Sequence, residues 1–231
     1  MKKTNGRRRW HGTLFDFCSR CFYYGIAFPV LWAADALFFG LRVRGREQLK
    51  KLRGRGAVLV CNHVHWLDCT FLGLAAVPRR LVFVSLASNF HLPVAGALVR
   101  LLGAVPTPQG LGGMSDFLEQ LTECVRGGEI AAIYPEGVLV PYAEGLRPFK
   151  SGAFFVAAAA GAPVLPAVIT YRKPRGFWRW RRRPTFTVTL LEPLWPEAAD
   201  GDVNRQAKAL RGRVRAAMEQ KAALDDTRRE V

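Results

Sequence analysis

Two short runs in this chain carry residue types suited to proton transfer. The first, Asn62-His63-Val64-His65-Trp66-Leu67-Asp68, follows the apolar segment Ala57–Cys61. Histidine exchanges a proton near neutral pH more readily than other side chains. An aspartate beside it can fix its tautomer and stabilise the imidazolium. His63 and Asp68 are five positions apart, roughly 500° of helical turn, so they cannot share a helix face. They can meet if His63 lies on a strand-to-helix loop and Asp68 in the first helical turn, where the helix dipole favours a carboxylate. The second run, Ile133-Tyr134-Pro135-Glu136-Gly137, closes another apolar segment. Its proline and glycine force a turn. That puts Glu136 at a strand's carboxyl end, where open α/β sheets bind their ligands.

The elements that would position these residues alternate along the chain. Strands are predicted at Ala57–Cys61, Leu81–Ser85, Ala104–Val105, Ile130–Tyr134, Val164–Thr170 and Thr185–Leu191. Helices are predicted at Leu67–Ala76, Val94–Leu102, Met114–Arg126, Gly152–Ala160 and Val203–Ala223. Such alternation argues for an α/β fold: a mixed, largely parallel central sheet flanked by helices. Residues 42–55 read as a polar connector, and Gly110–Gly113 as a flexible loop without the Gly-Lys-Ser/Thr ending of a phosphate loop.

Ahead of this domain (residues 42–231), residues 1–41 read as a basic tail and an apolar hairpin. Arg20 and Asp35 interrupt the apolar stretch, and no cleavage pattern follows it, which argues against a removed signal. The uncharged run from Cys21 to Ala34 is short for a bilayer, which needs about 20 apolar residues. With Pro29 dividing it and basic residues on both flanks, it reads as two short helices dipping into one leaflet. Phe22, Tyr23, Tyr24, Phe28 and Trp32 are its candidate membrane contacts; an ordinary buried helix pair is the alternative.

Net charge is +16, from 34 basic and 18 acidic residues, which implies an anionic partner. A second basic cluster, residues 172–183, interleaves seven cations with Phe177, Trp178 and Trp180. Tryptophan favours the bilayer boundary, so Trp178 and Trp180 are further candidate membrane contacts. The five cysteines form no paired framework, and Cys18-Ser19-Arg20-Cys21 lacks the second pair of a zinc site, so they read as reduced thiols. Two other function classes compete. A non-catalytic membrane- or RNA-binding module fits the charge, but leaves unexplained why His63, Asp68 and Glu136 all follow strands. A metal-dependent hydrolase fits His63-Val64-His65, but only His11 and His91 remain as further histidine ligands.

Taken together, the motifs resemble the phospholipid-biosynthesis acyltransferase family of the 1-acyl-glycerol-3-phosphate type. Asn62, His63 and Asp68 match its N-H-x-x-x-x-D motif, and Tyr134 to Gly137 its F-P-E-G motif. Phe149-Lys150-Ser151-Gly152-Ala153 looks like its F-K-x-G-A segment, and Ala162 to Pro166 its V-P-V-x-P run. Leu92-Pro93, Gly96, Arg100 and Gly103 fall at similar spacings, and motif order is kept from about Val43 to Leu191. The resemblance implies a lipid acyltransferase on the cytoplasmic face of a bacterial cell membrane. His63 would be the general base, with Asp68 orienting it. Backbone amides near His63 or the Gly137 turn would stabilise the oxyanion. Asn62, Tyr134, Pro135, Glu136 and Gly137 would line the substrate site, Glu136 on an acceptor hydroxyl. It further implies no bound cofactor and no metal. Acyl-CoA or acyl-carrier protein would be the donor, a lysophospholipid or related lipid the acceptor, an anionic membrane surface a partner and nucleic acid none. Val138 and Leu139 stand where the family has threonine and arginine, Gln109 where it has another arginine, and Leu86 and Ala87 where it has lysines. Each change removes a charge-assisted phosphate contact. That points away from glycerol-3-phosphate or lysophosphatidic acid and toward an acceptor with a masked phosphate. Arg147 and Lys150 are the cations able to replace the lost ones.

Overall fold

The computed structural model describes residues 13–93, 95–108, 110, 112–197 and 201–230. The basic tail, His11 and Gln109 lie outside the described residues. Seven strands form one sheet: β1 (Arg42–Arg44), β2 (Ala57–Cys61), β3 (Leu81–Ser85), β4 (Val105–Pro106), β5 (Ile130–Ile133), β6 (Val164–Arg172) and β7 (Thr185–Leu190). Their order is β1-β7-β6-β2-β5-β3-β4. Only β6 and β7 pair antiparallel; the other neighbours run parallel. This is the mixed, largely parallel sheet that the alternation of elements predicts.

β2 sits centrally and is buried along its whole length. The strand period of two sends its side chains alternately to the two faces. Ala57, Leu59 and Cys61 join Phe71, Leu72 and Phe186 on one face, under helix α4 (Asp68–Ala76). Val58 and Val60 pack on the other with α6 (Met114–Arg126), α7 (Gly152–Ala160) and α8 (Val203–Glu230), through Leu121, Phe154, Leu210 and Val214. The remaining helices are α1 (Thr13–Phe22), α2 (Phe28–Phe39), the four-residue α3 (Gln48–Lys51) and α5 (Ala95–Leu101). Both β2 and β5 therefore end at the same edge of the sheet, with α4 beginning just beyond it.

Two expectations are corrected here. The segment read as a polar connector contains the edge strand β1, paired in parallel with β7, and the single turn α3. Only Val43 of β1 turns toward the core, so three residues flanked by arginine carry too little pattern to be read as a strand. The N-terminal hairpin is instead one helical rod. α1 runs into α2 through a wider π turn, Tyr23–Ala27, and both junction residues stay right-handed helical. Pro29 lies in the first turn of α2, where a missing N–H is tolerated, and Phe28 donates back to the Tyr23 carbonyl instead. The rod is also longer than the uncharged run suggests: Phe17–Phe39, 23 residues, is long and apolar enough to cross a membrane by length and composition.

The rod is two-sided. Ser19, Tyr23, Ala27 and Asp35 recur at helical spacing and are buried against the domain. Phe17, Ile26, Val30, Trp32, Leu37 and Phe38 point outward and are exposed. Tyr23 thus turns to the core, its hydroxyl 3.4 Å from the Gly73 carbonyl, and Phe22 and Phe28 are half-buried. Tyr24 and Trp32 keep exposed positions.

The junction after β1 sets a testable constraint. Gly45 has φ +78°, and a Cβ there would fall 2.1 Å from the Leu190 carbonyl oxygen. Gly54 has the same φ of +78° with open space around it. Gly54→Ala should lose about 1–2 kcal/mol, the left-handed conformational cost alone. Gly45→Ala should lose about 3 kcal/mol or more, because the β1–β7 edge must part as well. Denaturant titrations of the two variants check the difference.

Candidate active site

The site forms where β2 ends. After Cys61 the chain leaves the sheet, loops through residues 62–67 and enters α4 at Asp68. Asp68 is completely buried. Its Oδ2 accepts the Val64 N–H at 2.7 Å, the His65 N–H at 2.9 Å and His63 Nδ1 at 2.9 Å. An ionised carboxylate can only accept, so in the neutral ring Nδ1 carries the proton and Nε2 the lone pair. The His63 side chain is 23% exposed, so its ring is reachable from solvent. Five positions of separation are bridged by the loop-to-helix entry that the sequence required.

The Pro-Glu-Gly turn meets this loop. Tyr134 stacks on the His63 ring, with centroids 4.0 Å apart and planes 12° apart. Burial holds the Tyr134 phenol well above its usual range, so it stays protonated. Glu136 Oε2 accepts the His63 N–H at 3.2 Å and the Arg147 guanidinium, and its Oε1 accepts the Arg147 N–H at 3.2 Å. Both carboxylate oxygens therefore serve the protein's own loops, and the Glu136 side chain is almost wholly buried. Gly137 adopts φ +73°, and the Lys150 side chain lies over it, so that a Cβ there would meet Nζ at 2.6 Å. The Pro135 carbonyl accepts the Lys150 N–H at 2.8 Å.

His63, Asp68, Tyr134, Pro135, Glu136, Gly137, Arg147 and Lys150 are thus brought together. Asn62 is tied to the sheet. Its amide bridges to β6, donating to the Ile169 carbonyl at 3.0 Å and accepting the Ile169 N–H at 2.8 Å. On that side, at the carboxyl end of β6, lies a cavity of about 290 Å³ bordered by Asn62, Leu146, Thr170 and Tyr171. The N–H groups of His63, Val64, His65 and Gly137 all have partners within the protein. Trp178 likewise packs inward: its indole N–H donates to the Leu37 carbonyl at 2.8 Å and its ring lies beside Gly40. Its neighbours Phe177 and Trp180 are the exposed rings of that loop.

Sequence reasoning missed the surroundings of His65. Its ring packs among Phe39, Phe71, Tyr142 and Phe186, with centroids 5.1–5.9 Å away. Its Nδ1 accepts the Leu67 N–H at 3.2 Å. Arg181 stacks over Phe39 and Arg183 over Tyr142. These contacts come from four separate segments, so no local pattern announces them.

Against known proteins, the family model for Acyltransferase matches residues 40–170. The chain belongs to this family. It is 32% identical over 159 residues to the chloroplastic 1-acyl-sn-glycerol-3-phosphate acyltransferase BAT2 of Brassica napus, covering 68% of this chain and 44% of that one. It is 33% identical over 138 residues to the lyso-ornithine lipid O-acyltransferase of Pseudomonas aeruginosa, covering 60% of this chain and 50% of that one. The match to BAT2, like that to the human 1-acyl-sn-glycerol-3-phosphate acyltransferase beta at 57%, spans about half the relative's length. The same fold occurs in the crystal structure of PlsC, the 1-acyl-sn-glycerophosphate acyltransferase of Thermotoga maritima: TM-score 0.59, 21% identity, covering 90% of this chain and 93% of that one.

His65 gives the site a pH signature. Burial lowers its pKa from the ordinary 6.5, opposed by Asp68 and reinforced by Arg183 and Arg181. The unfolded chain therefore binds this proton more tightly than the folded one. The stability this contributes is complete above the unfolded value and is lost as pH falls through the folded one. Wild-type protein should lose more stability between pH 7.5 and 5.5 than His65→Phe, as read by denaturant midpoints at the two pH values.

Proposed function

We propose that this chain is a lipid acyltransferase that moves a fatty acyl group from a thioester, acyl-CoA or acyl-carrier protein, to a hydroxyl of a lysophospholipid or related lipid. The carrying observation is the 2.9 Å pairing of His63 Nδ1 with buried Asp68, which leaves Nε2 as the acceptor of a proton. The acceptor hydroxyl gives its proton to Nε2 as its oxygen attacks the thioester carbonyl. Asp68 stabilises the imidazolium that results. Collapse of the tetrahedral intermediate expels the thiolate, which takes the same proton back. No acyl-enzyme is required, and all the atoms transferred come from donor and acceptor.

The acceptor carries a masked phosphate or none. Leu86, Ala87, Val138 and Leu139 replace cations and polar groups at positions where the family holds a free phosphate. Similarity to a protein named for acylating lyso-ornithine lipid supports an acceptor of this kind. Lys150, over the Gly137 turn, provides one cation for a phosphodiester. The exposed apolar face of the rod, with Phe177, Trp180 and the surrounding arginines, supports contact with an anionic membrane surface, in this reading its cytoplasmic one.

The purified chain, incubated with labelled acyl thioester and a membrane lipid extract, should yield an acylated lipid detectable by mass spectrometry. His63→Ala should lower its formation by about 10²–10⁴-fold. Unchanged turnover in that variant would refute the mechanism, and phosphatidic acid as sole product would refute the acceptor assignment. Independently, Phe177→Ser with Trp180→Ser should weaken sedimentation with phosphatidylglycerol vesicles; equal binding would reject that loop's contact.

A further inference from the structure

The two cations beside the Pro-Glu-Gly turn are placed very differently. Lys150 is exposed, and no ion pair joins it to a carboxylate among the described residues. The Arg147 guanidinium is turned inward, onto the Glu136 carboxylate and the Val138 carbonyl, and it lies 3.4 Å from the His63 carbonyl. Its own N–H reaches the other oxygen of Glu136. Both main-chain polar groups of His63 thus enter one network: its N–H goes to Glu136, and its carbonyl receives Arg147 and, at 3.3 Å, the Val140 N–H.

We propose that Arg147 is a positioning residue for the catalytic histidine, standing in for the arginine that this chain lacks at position 139, and that it is not a contact for substrate phosphate. The inference rests on the acyltransferase reading above. Glu136 is buried, and a buried carboxylate without a counter-cation is strongly unfavourable. The family's motif arginine would stand one residue after Val138, and here that place is taken by Leu139. Arg147 returns to the same turn from the far end of the 138–147 loop and caps the Val138 carbonyl itself. Planar guanidinium geometry suits this task, because one group can reach a carboxylate and two carbonyls at once. The Arg147 Nη2, which makes all three side-chain contacts, is taken up by acceptors of the protein itself.

The arrangement also sets the charge that the imidazole feels. Asp68 faces it from α4, and Glu136 and Tyr134 from β5 and its turn. Cys61 and His65 lie in the adjoining chain, and Lys150 approaches from the segment before α7. Arg215 of α8 reaches the Arg147 carbonyl at 3.5 Å from behind. Removing the Arg147 charge leaves Glu136 uncompensated next to the His63 backbone. Protonated histidine is then favoured, and the base form is reached only at higher pH.

The test compares Arg147→Gln, Arg147→Lys and Lys150→Gln in the full chain with the assay above. Arg147→Gln should lower kcat by about 10–100-fold and leave KM for the acceptor within about threefold. It should move the acid limb of the kcat–pH profile upward by about half a unit or more. Arg147→Lys should return the limb to its wild-type position, since the charge is restored, with kcat only partly recovered. Lys150→Gln should raise KM instead. An Arg147→Gln enzyme with raised KM and unchanged kcat and pH limb, or one indistinguishable from wild type, would overturn the proposal. Should Arg147→Gln not fold, Arg147→Lys decides: lowered kcat at wild-type KM supports positioning, and raised KM at wild-type kcat refutes it. If wild type transfers no acyl group, the functional reading has failed by itself. The His63 imidazole titration followed by NMR in wild type and Arg147→Lys or Arg147→Gln then decides: a midpoint that rises when the charge is removed supports the proposal, and one unmoved by charge removal refutes it.

Discussion

Asp68 is a carboxylate with no exposed surface, placed at the first residue of α4. Burying such a group without donors would cost several kcal/mol, so the fold must bring donors to it. It does so with the chain that leads into the helix: two successive N–H groups and the His63 ring converge on one oxygen. The helix dipole adds a favourable field at the same place. The loop cannot satisfy Asp68 in this way without turning His63 to a fixed orientation. The tautomer of the base is a consequence of the same constraint.

A second layer fixes where that loop sits relative to the sheet. Asn62 ties the end of β2 to β6 through both of its amide groups. Glu136 ties it to the end of β5, and the Tyr134 ring covers the imidazole. The parallel register of β2 with β5 and β6 makes these ties possible, because it sets the ends of β2 and β5 side by side and carries β6 on past them. Asn62 and Glu136 thereby hold the loop that carries His63.

Much of this was legible beforehand because the relevant signals are local. Alternation of short apolar runs with amphipathic segments predicts six of the seven strands and the helices around them, α6 and α7 at their observed bounds. The loop-then-helix placement of His63 and Asp68 follows from helical geometry alone. Pro29 misled because proline breaks a helix only beyond its first turn, and a π turn before it keeps the rod continuous. β1 escaped notice because an edge strand of three residues, two of them arginine, has almost no buried side to show.

The sequence by itself determined the residue types at the site, their order and the turns that expose them, since these depend on chemistry and short-range spacing. Tertiary structure alone decided what each polar group bonds to. Arg147 reaches Glu136 across the 138–147 loop, and Asn62 reaches Ile169 because β2 ends beside the middle of β6. Tyr23 turns inward because a helix packed on a domain must bury one face, and Trp178 meets that helix at the Leu37 carbonyl. Buried polar groups must find partners wherever the fold offers them, and partners that lie across the sheet leave no trace in the spacing along the chain.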